Sequence, residues 1–207
     1  MNNERMLLHI CCAPCAGIPS LLLQEEGFAL SGFWHGPNIH PKEEWELRRE
    51  SVSRLALLRG IPMYWSDDFR QREWKDRFSV PTDPLQVKGS APVLASTTEV
   101  RDVIAKPRCN FCHTIRLEET AKLASQEGFT AFTTSLSISP YQDHAAIQAA
   151  GERAAEKYGV SFVYRDFRPW YREGIQLARA QGWYIQKYCG CLFSFKESDH
   201  PRKPKYD

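Results

Sequence analysis

The sequence predicts an α/β domain in which helices cover both faces of a doubly wound, mostly parallel sheet. Short apolar runs alternate along the chain with longer stretches of helical periodicity, which is the pattern of repeated strand and helix units. The 207 residues, of which 43% are hydrophobic, can bury one good core. We therefore expect one domain over residues 1–207, with residues 195–207 as a basic carboxy-terminal tail.

The first half of the chain contains three predicted strands. The predicted elements are, in order, a strand over residues 6–10, a helix over 16–24, a strand over 28–34, a helix over 42–59 and a strand over 61–65. Gly27 ends the first helix, and Pro41 suits the first turn of the second. Trp45, Val52 and Leu55 recur at helical spacing, so the second helix should be amphipathic.

The second half begins with a long stretch that lacks periodicity. Residues 79–107 hold four prolines, which predicts an extended surface loop. Beyond it we expect a helix over residues 109–126, a strand over 131–134, a helix over 142–158 and a strand over 160–164. The sheet should therefore continue into this half of the chain.

Composition and charge narrow the class of protein. The cysteine count is seven, which is odd, and the chain is longer than the small secreted domains that depend on disulfides. A net charge of +2 does not by itself indicate a nucleic-acid-binding protein. The mostly apolar residues 7–23 contain three cysteines, follow no basic region and are shorter than the roughly 20 residues of a membrane span. We expect a soluble cytoplasmic protein with a metal or redox role.

All the cysteines fall into three groups, each at the end of a predicted element. The groups are Cys11, Cys12 and Cys15; Cys109 and Cys112; and Cys189 and Cys191. The first group lies where the first strand passes into its helix, and ligands of parallel sheets collect at that edge. Cys11 and Cys12 can serve one centre only if the backbone turns sharply between strand and helix, because adjacent residues of a strand point to opposite faces.

The second group stands at the start of a predicted helix. Cys109 and Cys112 are three residues apart, so both sulfurs can face one way, and Arg116 continues that face one turn later. Arg116 could balance the charge of a thiolate-bound cluster or meet an anionic group of a substrate. The alternative is an ordinary solvated charge on a helix.

The residues alone leave several chemistries open. Four thiolates from two separated segments suit tetrahedral zinc or an iron-sulfur cluster equally, and ordinary buried thiols are a further alternative. The Cys12-Ala-Pro-Cys15 stretch is also typical of thioredoxin-like dithiol oxidoreductases. Cys189 and Cys191, separated by glycine, could form a strained, redox-active disulfide or remain free or metal-bound.

Six ordered motifs resemble the epoxyqueuosine reductases of the QueH type. They are LLHICCAPCA at 7–16, GPNIHPKEEWELR at 36–48, RCNFCHTIRL at 108–117, TTSLSISPYQDH at 133–144, YRDFRPWYREG at 164–174 and QKYCGCLFS at 186–194. The resemblance implies a cytosolic catalytic domain that removes the epoxide oxygen of epoxyqueuosine at the wobble position of tRNA, leaving queuosine. It also implies an unidentified electron donor.

The resemblance assigns cofactors and a fold as well. It implies a [4Fe-4S] cluster on Cys11, Cys12, Cys109 and Cys112, and a redox-active pair at Cys189 and Cys191. The implied fold is a nucleotide-hydrolase-like (HUP or Rossmann-like) sheet with cysteine-rich additions. No nucleotide cofactor is expected, because the sequence contains no SGGxDS-type phosphate loop. The rival functions are a zinc-stabilised RNA-binding module and a thioredoxin-like enzyme.

Several roles remain hypotheses at this point. Some relatives carry Asp where this chain has Cys15, so Cys15 is a candidate ligand of a second, mononuclear iron, although a thiolate is a softer ligand than a carboxylate. An open iron position could act as a Lewis acid on the epoxide oxygen. Tyr141, His144 and Asp166 are candidate proton donors. Asp143 could donate a proton too, but a helix N-cap is favoured there.

Cations and aromatic rings interleave between residues 165 and 188. The candidate RNA contacts are Arg116, Arg165, Arg168, Arg172 and Lys187. Such cations can hold phosphates while neighbouring rings stack on unpaired anticodon bases. The alternative is that the rings belong to the core and the charges to a solvated helix face.

Overall fold

The computed structural model describes residues 4–78 and 98–198, with the backbone alone for residues 98–106. Its strands are β1 (Arg5–Ile10), β2 (Ala29–Trp34), β3 (Met63–Trp65), β4 (Ala131–Thr134) and β5 (Ser161–Phe162). Its helices are α1 (Ala13–Glu25), α2 (Lys42–Arg59), α3 (Gln71–Phe78), α4 (Thr98–Gln126), α5 (His144–Tyr158), α6 (Tyr171–Ala180) and α7 (Leu192–Glu197). Short 3-10 turns cover Ser135–Ile138 and Arg168–Trp170.

The strands form one parallel sheet in the order β3-β2-β1-β4-β5. The chain starts at the central strand, where Met6 pairs with both Leu30 and Ala131, moves outward to β3, and then crosses back to β4. Crossovers that run in opposite directions along the sheet place the helices between the strands of the two halves on opposite faces, and α6, after the last strand, returns to the face of α1. Accordingly α1 packs against α2 and α6, whereas α4 packs against α5. The predicted doubly wound, parallel α/β fold is confirmed.

Burial of β1 on both faces explains the apolar run from Met6 to Leu8. Met6, Leu7 and Leu8 are fully buried, as expected for the central strand of a sheet covered on both sides. The order of the strands reverses between β1 and β4, so a crevice opens at the carboxyl ends of these two strands. Cys11 and Cys12 directly follow β1 and therefore lie at this crevice.

Two predicted boundaries are wrong. The loop predicted over residues 79–107 extends too far, because α4 already begins at Thr98; residues 79–97 lie outside the described residues. Pro107 lies inside this helix, where its fixed φ is compatible with helical backbone although one hydrogen bond is lost. The tail predicted from residue 195 begins too early, because α7 extends to Glu197. Residues 199–207 are also outside the described part.

The start of α5 confirms one local prediction. Asp143 caps this helix, since its carboxylate accepts the Ala146 N–H at 3.0 Å, which confirms the cap rather than a free acid.

Among the described residues, no helix combines the length and apolar character needed to cross a bilayer.

Candidate metal and dithiol site

The turn between β1 and α1 brings two adjacent cysteines to one side of the sheet edge. Cys12 is the N-cap of α1 and has extended backbone, after which Pro14 occupies the first helical turn. The backbone therefore changes direction at Cys12, as the sequence requires if both sulfurs are to serve one centre. Cys11 and Cys12 are both buried and both line the same cavity.

Two adjoining cavities bring the three cysteine groups together. The main pocket, of about 340 Å³, is lined by Cys11, Cys12, Cys15, Cys112 and Cys189. A smaller cavity of about 30 Å³ beside it is lined by Cys109, Cys112, Cys189 and Cys191. Cys112 and Cys189 border both cavities, so residues far apart in sequence meet at the crevice predicted from the fold.

Arg116 is a buried cation in direct contact with one of these sulfurs. Its Nε donates to Cys112 Sγ at 3.2 Å, its Nη1 to the His35 carbonyl at 2.8 Å and its Nη2 to Asn38 Oδ1 at 2.7 Å. Although burial opposes the charge, the sulfurs of Cys112 and Cys11 raise the pKa of Arg116 above its ordinary value. This position favours the charge-balancing role predicted for Arg116 over a contact with RNA phosphates.

Cys112 receives a second N–H donor from the loop between β2 and α2. Asn38 Nδ2 donates to Cys112 Sγ at 3.3 Å, while the carbonyl of the same amide accepts from Arg116. Donors directed at one sulfur stabilise negative charge on it. Cys112 is thus surrounded by groups suited to a thiolate or a metal-bound sulfur.

Cys12 differs from the ligand predicted for it, because its sulfur is bonded to Cys15. The Nε2 of Gln186 donates to both sulfurs, at 3.0 Å to Cys12 and 3.3 Å to Cys15. A Cys12–Cys15 disulfide agrees with the thioredoxin-like interpretation of the CxxC stretch. Cys12 can act as a metal ligand only after this disulfide is reduced.

The residues present fit an iron-sulfur group in chemistry and charge. The crevice supplies thiols from two separated segments and a buried guanidinium beside them. Among the side chains of residues 4–78 and 107–198, however, no three Cys, His, Asp or Glu groups stand close enough to hold a metal ion as they are placed. The fit therefore requires reduction of the Cys12–Cys15 bond and convergence of the sulfurs.

Protonation of Cys109 adds a condition on metal binding. Burial raises the pKa of the Cys109 thiol to about 11, and the neighbouring Cys112 sulfur adds to the shift. The free thiol therefore keeps its proton at neutral pH, and a metal must displace that proton to bind.

The Cys189-Gly190-Cys191 loop is held mainly through its backbone. Arg48, which is buried, donates from Nη2 to the Tyr188 carbonyl and from Nη1 to the Cys189 carbonyl, both at 3.1 Å. Its own charge is paired with the buried carboxylate of Glu44 at 2.7 Å. The Gly190 carbonyl accepts the His40 N–H at 2.7 Å. Both thiols of the loop, which the sequence predicts to be a redox pair, are free in this structure.

The remaining predicted residues are divided between the pocket and the surface. Tyr141 and Lys187 line the main pocket, and Tyr141 is 83% exposed at its mouth. Arg165 is paired with Glu26, and Arg168 with Asp166, each at 2.6 Å. Arg172 is exposed on α6. The described pockets are lined by none of four predicted residues: Arg165, Asp166, Arg168 and Arg172.

Two candidate proton donors are occupied by other contacts. Hydrogen bonds from Arg168 lower the pKa of Asp166 to about 2, so this carboxylate carries no proton at neutral pH. His144 contacts the Tyr164 hydroxyl at 2.8 Å and the Ser139 carbonyl at 3.0 Å, which engages both ring nitrogens. The structure argues against a proton-donor role for Asp166 and leaves the role of His144 without support.

Sequence reasoning missed the polar residues around the cysteines. Asn38, Gln142 and Gln186 donate to sulfur, whereas Arg48 binds the Cys189 carbonyl and His113 contacts the Gln142 amide. Each lies inside one of the quoted motifs, so the signal was available, but a motif does not state which of its residues point toward the cysteines. Of the aromatic residues proposed to stack on bases, Phe167 and Trp183 are buried in the core.

The sequence matches one protein family along nearly its whole length. The model of the epoxyqueuosine reductase QueH family matches residues 6–89 and 91–197. Epoxyqueuosine reductase QueH of Haemophilus influenzae is 33% identical over 207 residues, covering 98% of this chain and 76% of the relative. The Dehalococcoides mccartyi relative of the same name is 31% identical over 201 residues, covering 97% and 98%.

Solved structures show more distant likenesses. The U34-tRNA thiolase NcsA from Methanococcus maripaludis, with its [4Fe-4S] cluster, covers 95% of this chain and 64% of its own, at 14% identity and a TM-score of 0.48. A predicted subunit of tRNA methyltransferase from Methanocaldococcus jannaschii covers 86% and 76%, at 12% identity and the same TM-score. These likenesses are too weak to carry a functional argument.

Proposed function

This chain belongs to the epoxyqueuosine reductase QueH family, and from that premise we propose that its cysteine-lined pocket is the place where the epoxide is reduced. The chain is an oxidoreductase that converts epoxyqueuosine to queuosine in tRNA. One observation carries the choice of site: cysteines from three segments border two adjoining cavities at the crevice between β1 and β4.

Cys11, Cys12, Cys109 and Cys112 are the proposed ligands of a [4Fe-4S] cluster. The buried Arg116 beside Cys112 and the Asn38 amide support this choice, because both stabilise negative charge on sulfur. When bound, such a cluster supplies electrons one at a time. Reduction of the Cys12–Cys15 bond precedes its binding.

The reaction requires two electrons and two protons. Removing the epoxide oxygen leaves an alkene and releases water, and two thiols can provide both electrons and both protons while becoming a disulfide. Cys189 and Cys191 are the proposed source, because both border the smaller cavity and Cys189 also borders the main pocket. An external electron donor then reduces the pair again.

The exposed mouth of the main pocket is the proposed entrance for the wobble nucleotide of the tRNA. Tyr141 stands there with its ring edge against Tyr171, at a centroid distance of 6.1 Å. Lys187 lines the pocket and Arg172 is exposed nearby on α6, so both are available to phosphates. Arg165 and Arg168 would first have to leave their carboxylate partners. Because tRNA is the substrate, the proposed location is the cytoplasm.

Tyr141 and Cys15 have additional roles in this proposal. Tyr141 remains the candidate proton source at the pocket mouth because its side chain lines the cavity. A second, mononuclear iron on Cys15 requires this sulfur to be free of Cys12, so it depends on the same reduction as the cluster.

Mass spectrometry of wobble nucleosides tests the proposal. Enzyme purified without oxygen and reduced beforehand should convert epoxyqueuosine in tRNA to queuosine, and the iron-loaded protein should absorb broadly near 400 nm. A colourless zinc protein without conversion would instead favour the RNA-binding module. Disulfide exchange at full rate in metal-free protein would favour the dithiol enzyme, which the Cys12–Cys15 bond makes the second candidate.

A further inference from the structure

Cys189 and Cys191 occupy different surroundings although one residue separates them. Cys189 is exposed and lines both cavities, whereas Cys191 is half-buried and lines only the smaller one. The Cys191 sulfur instead accepts the N–H of Ser194 at 3.4 Å as the cap of α7. Of the two cysteines of this loop, only Cys189 therefore lines the main pocket together with Cys11 and Cys12.

A glutamine side chain contacts the sulfur of Cys189 beside that pocket. Gln142 Nε2 donates to Cys189 Sγ at 3.3 Å, while its carbonyl oxygen contacts Nε2 of His113 at 2.9 Å. In this orientation of the amide, the ring nitrogen of His113 donates to the oxygen, because an amide oxygen can only accept. His113 is itself buried, so the orientation of the amide is set from within the protein.

The backbone of the same loop is fixed independently. Arg48 binds the carbonyls of Tyr188 and Cys189, and the His40 N–H binds that of Gly190. With the backbone held, the direction of the Cys189 side chain depends on what its sulfur contacts. Gln142 is the contact that the pocket provides.

We propose that the two cysteines divide the reaction: Cys189 is the thiol that meets the substrate side of the pocket, with Gln142 as its positioning residue, and Cys191 is the resolving thiol. The proposal rests on the proposed function. In the balanced step, one epoxide and two thiols give one alkene, one water and one disulfide. The Cys189 sulfur first forms a C–S bond to one epoxide carbon while the C–O bond there breaks, and the ring oxygen becomes a hydroxyl. Cys191 then attacks that sulfur: the S–S bond forms, the C–S bond breaks, its electron pair forms the alkene, and the hydroxyl leaves as water.

Rescue by a small monothiol distinguishes the two cysteines. In Cys191→Ser, an external thiol such as 2-mercaptoethanol can take the place of the resolving thiol, so added monothiol should restore turnover on epoxyqueuosine-containing tRNA. In Cys189→Ser it should not. Equal rescue of both variants, or rescue of Cys189→Ser alone, would overturn the division of roles. Iron content is measured in both to show that the metal centre is retained.

An assay without tRNA tests this inference separately from the proposed function. Oxidised glutathione should form a mixed disulfide several-fold faster with Cys191→Ser, which keeps Cys189, than with Cys189→Ser. If the wild-type enzyme fails to reduce tRNA-bound epoxyqueuosine, the proposed function falls, while this difference between the thiols can still be measured. Equal rates would count against the inference alone.

Gln142→Leu tests the positioning residue, with Gln148→Leu as its matched control. Gln148 is exposed on α5 and binds only Glu152 among its recorded hydrogen bonds. Loss of one hydrogen bond to the reduced sulfur should shift the equilibrium of the pair with glutathione about threefold toward the disulfide. Gln148→Leu should leave this equilibrium and the activity unchanged. An unshifted equilibrium in a folded Gln142→Leu protein would remove Gln142 from the proposal.

Discussion

The two ends of the candidate site are built differently. Cys11, Cys12, Cys109 and Cys112 lie on or beside regular elements, and the sulfur of Cys112 is held by side-chain donors. The Cys189-Gly190-Cys191 loop lies between α6 and α7, and its backbone is anchored from α2 and the residues before it, through the Cys189 carbonyl to Arg48 and the Gly190 carbonyl to the His40 N–H. Metal ligands need fixed sulfur positions, whereas a redox pair needs sulfurs that can approach each other.

Arg48 holds the Cys189-Gly190-Cys191 loop in a way that leaves its two sulfurs able to approach each other. A guanidinium with fixed planar geometry can bind two successive carbonyls at once, so it holds the loop without touching either sulfur. Gly190 has a φ of 135°, and a Cβ there would come within 3.0 Å of Arg48 Nη1. The loop therefore depends on an arginine and a glycine that fit each other.

The largest effect should come from the cluster side. Cys112→Ala removes the sulfur that Arg116 and Asn38 both contact, so the buried guanidinium and the Asn38 amide each lose a hydrogen-bond partner. We expect loss of bound iron, measured by metal analysis and absorbance near 400 nm, and loss of conversion of epoxyqueuosine. Cys15→Ala is the matched control, because it removes a sulfur outside the proposed cluster ligands and should retain the four irons of the cluster.

The next effect should come from the anchor of the loop. Arg48→Met leaves the buried Glu44 carboxylate without its cationic partner, although the Tyr184 hydroxyl still donates to it, and should lower the free energy of unfolding by about 3–5 kcal/mol, measured by denaturant titration. Arg72→Met is the control, since Arg72 is 96% exposed and should change stability by less than about 0.5 kcal/mol. Equal losses in both variants would contradict the anchoring role.

Gly190→Ala should damage the loop but spare the metal. The left-handed φ and the close approach to Arg48 predict a loss of about 1–3 kcal/mol, with lower turnover and unchanged iron content. Gly60→Ala is the matched control, because Gly60 has a φ of 63° but no atom within 4 Å of the added Cβ. A larger loss at Gly60 than at Gly190 would show that the contact with Arg48 is unimportant.

These comparisons also show which features of the fold and the site can be predicted from the sequence. The parallel fold was predictable because buried strands produce continuous apolar runs, and the crevice followed from the fold. The Cys12–Cys15 bond had only been one alternative, since a CxxC turn serves metals and disulfides equally. Arg48 was not predictable, because a helical arginine beside Glu44 has the pattern of a solvated ion pair, and only the folded chain places both under the distant loop.

The smallest expected effect is the pH dependence of stability that comes from His35, whose carbonyl binds Arg116 beside the proposed cluster ligands. Burial, and then the charge of Arg116, lower the pKa of His35 to about 3. Below about pH 6.5 the unfolded chain binds a proton at His35 that the folded chain does not, so stability should fall with pH by about 1.4 kcal/mol per unit. His35→Gln should lose this share of the slope between pH 6.5 and 5, measured by urea titration at each pH. An unchanged slope would contradict a neutral, buried His35.

Thiol footprinting of iron-loaded protein tests the division between the two ends most directly. Alkylation followed by peptide mass spectrometry should find Cys11, Cys12, Cys109 and Cys112 protected and Cys15, Cys189 and Cys191 labelled, with about four iron atoms per chain. Removal of the iron under reducing conditions should expose the protected thiols. Full iron content with Cys12 still bonded to Cys15, or with Cys109 freely labelled, would contradict the account.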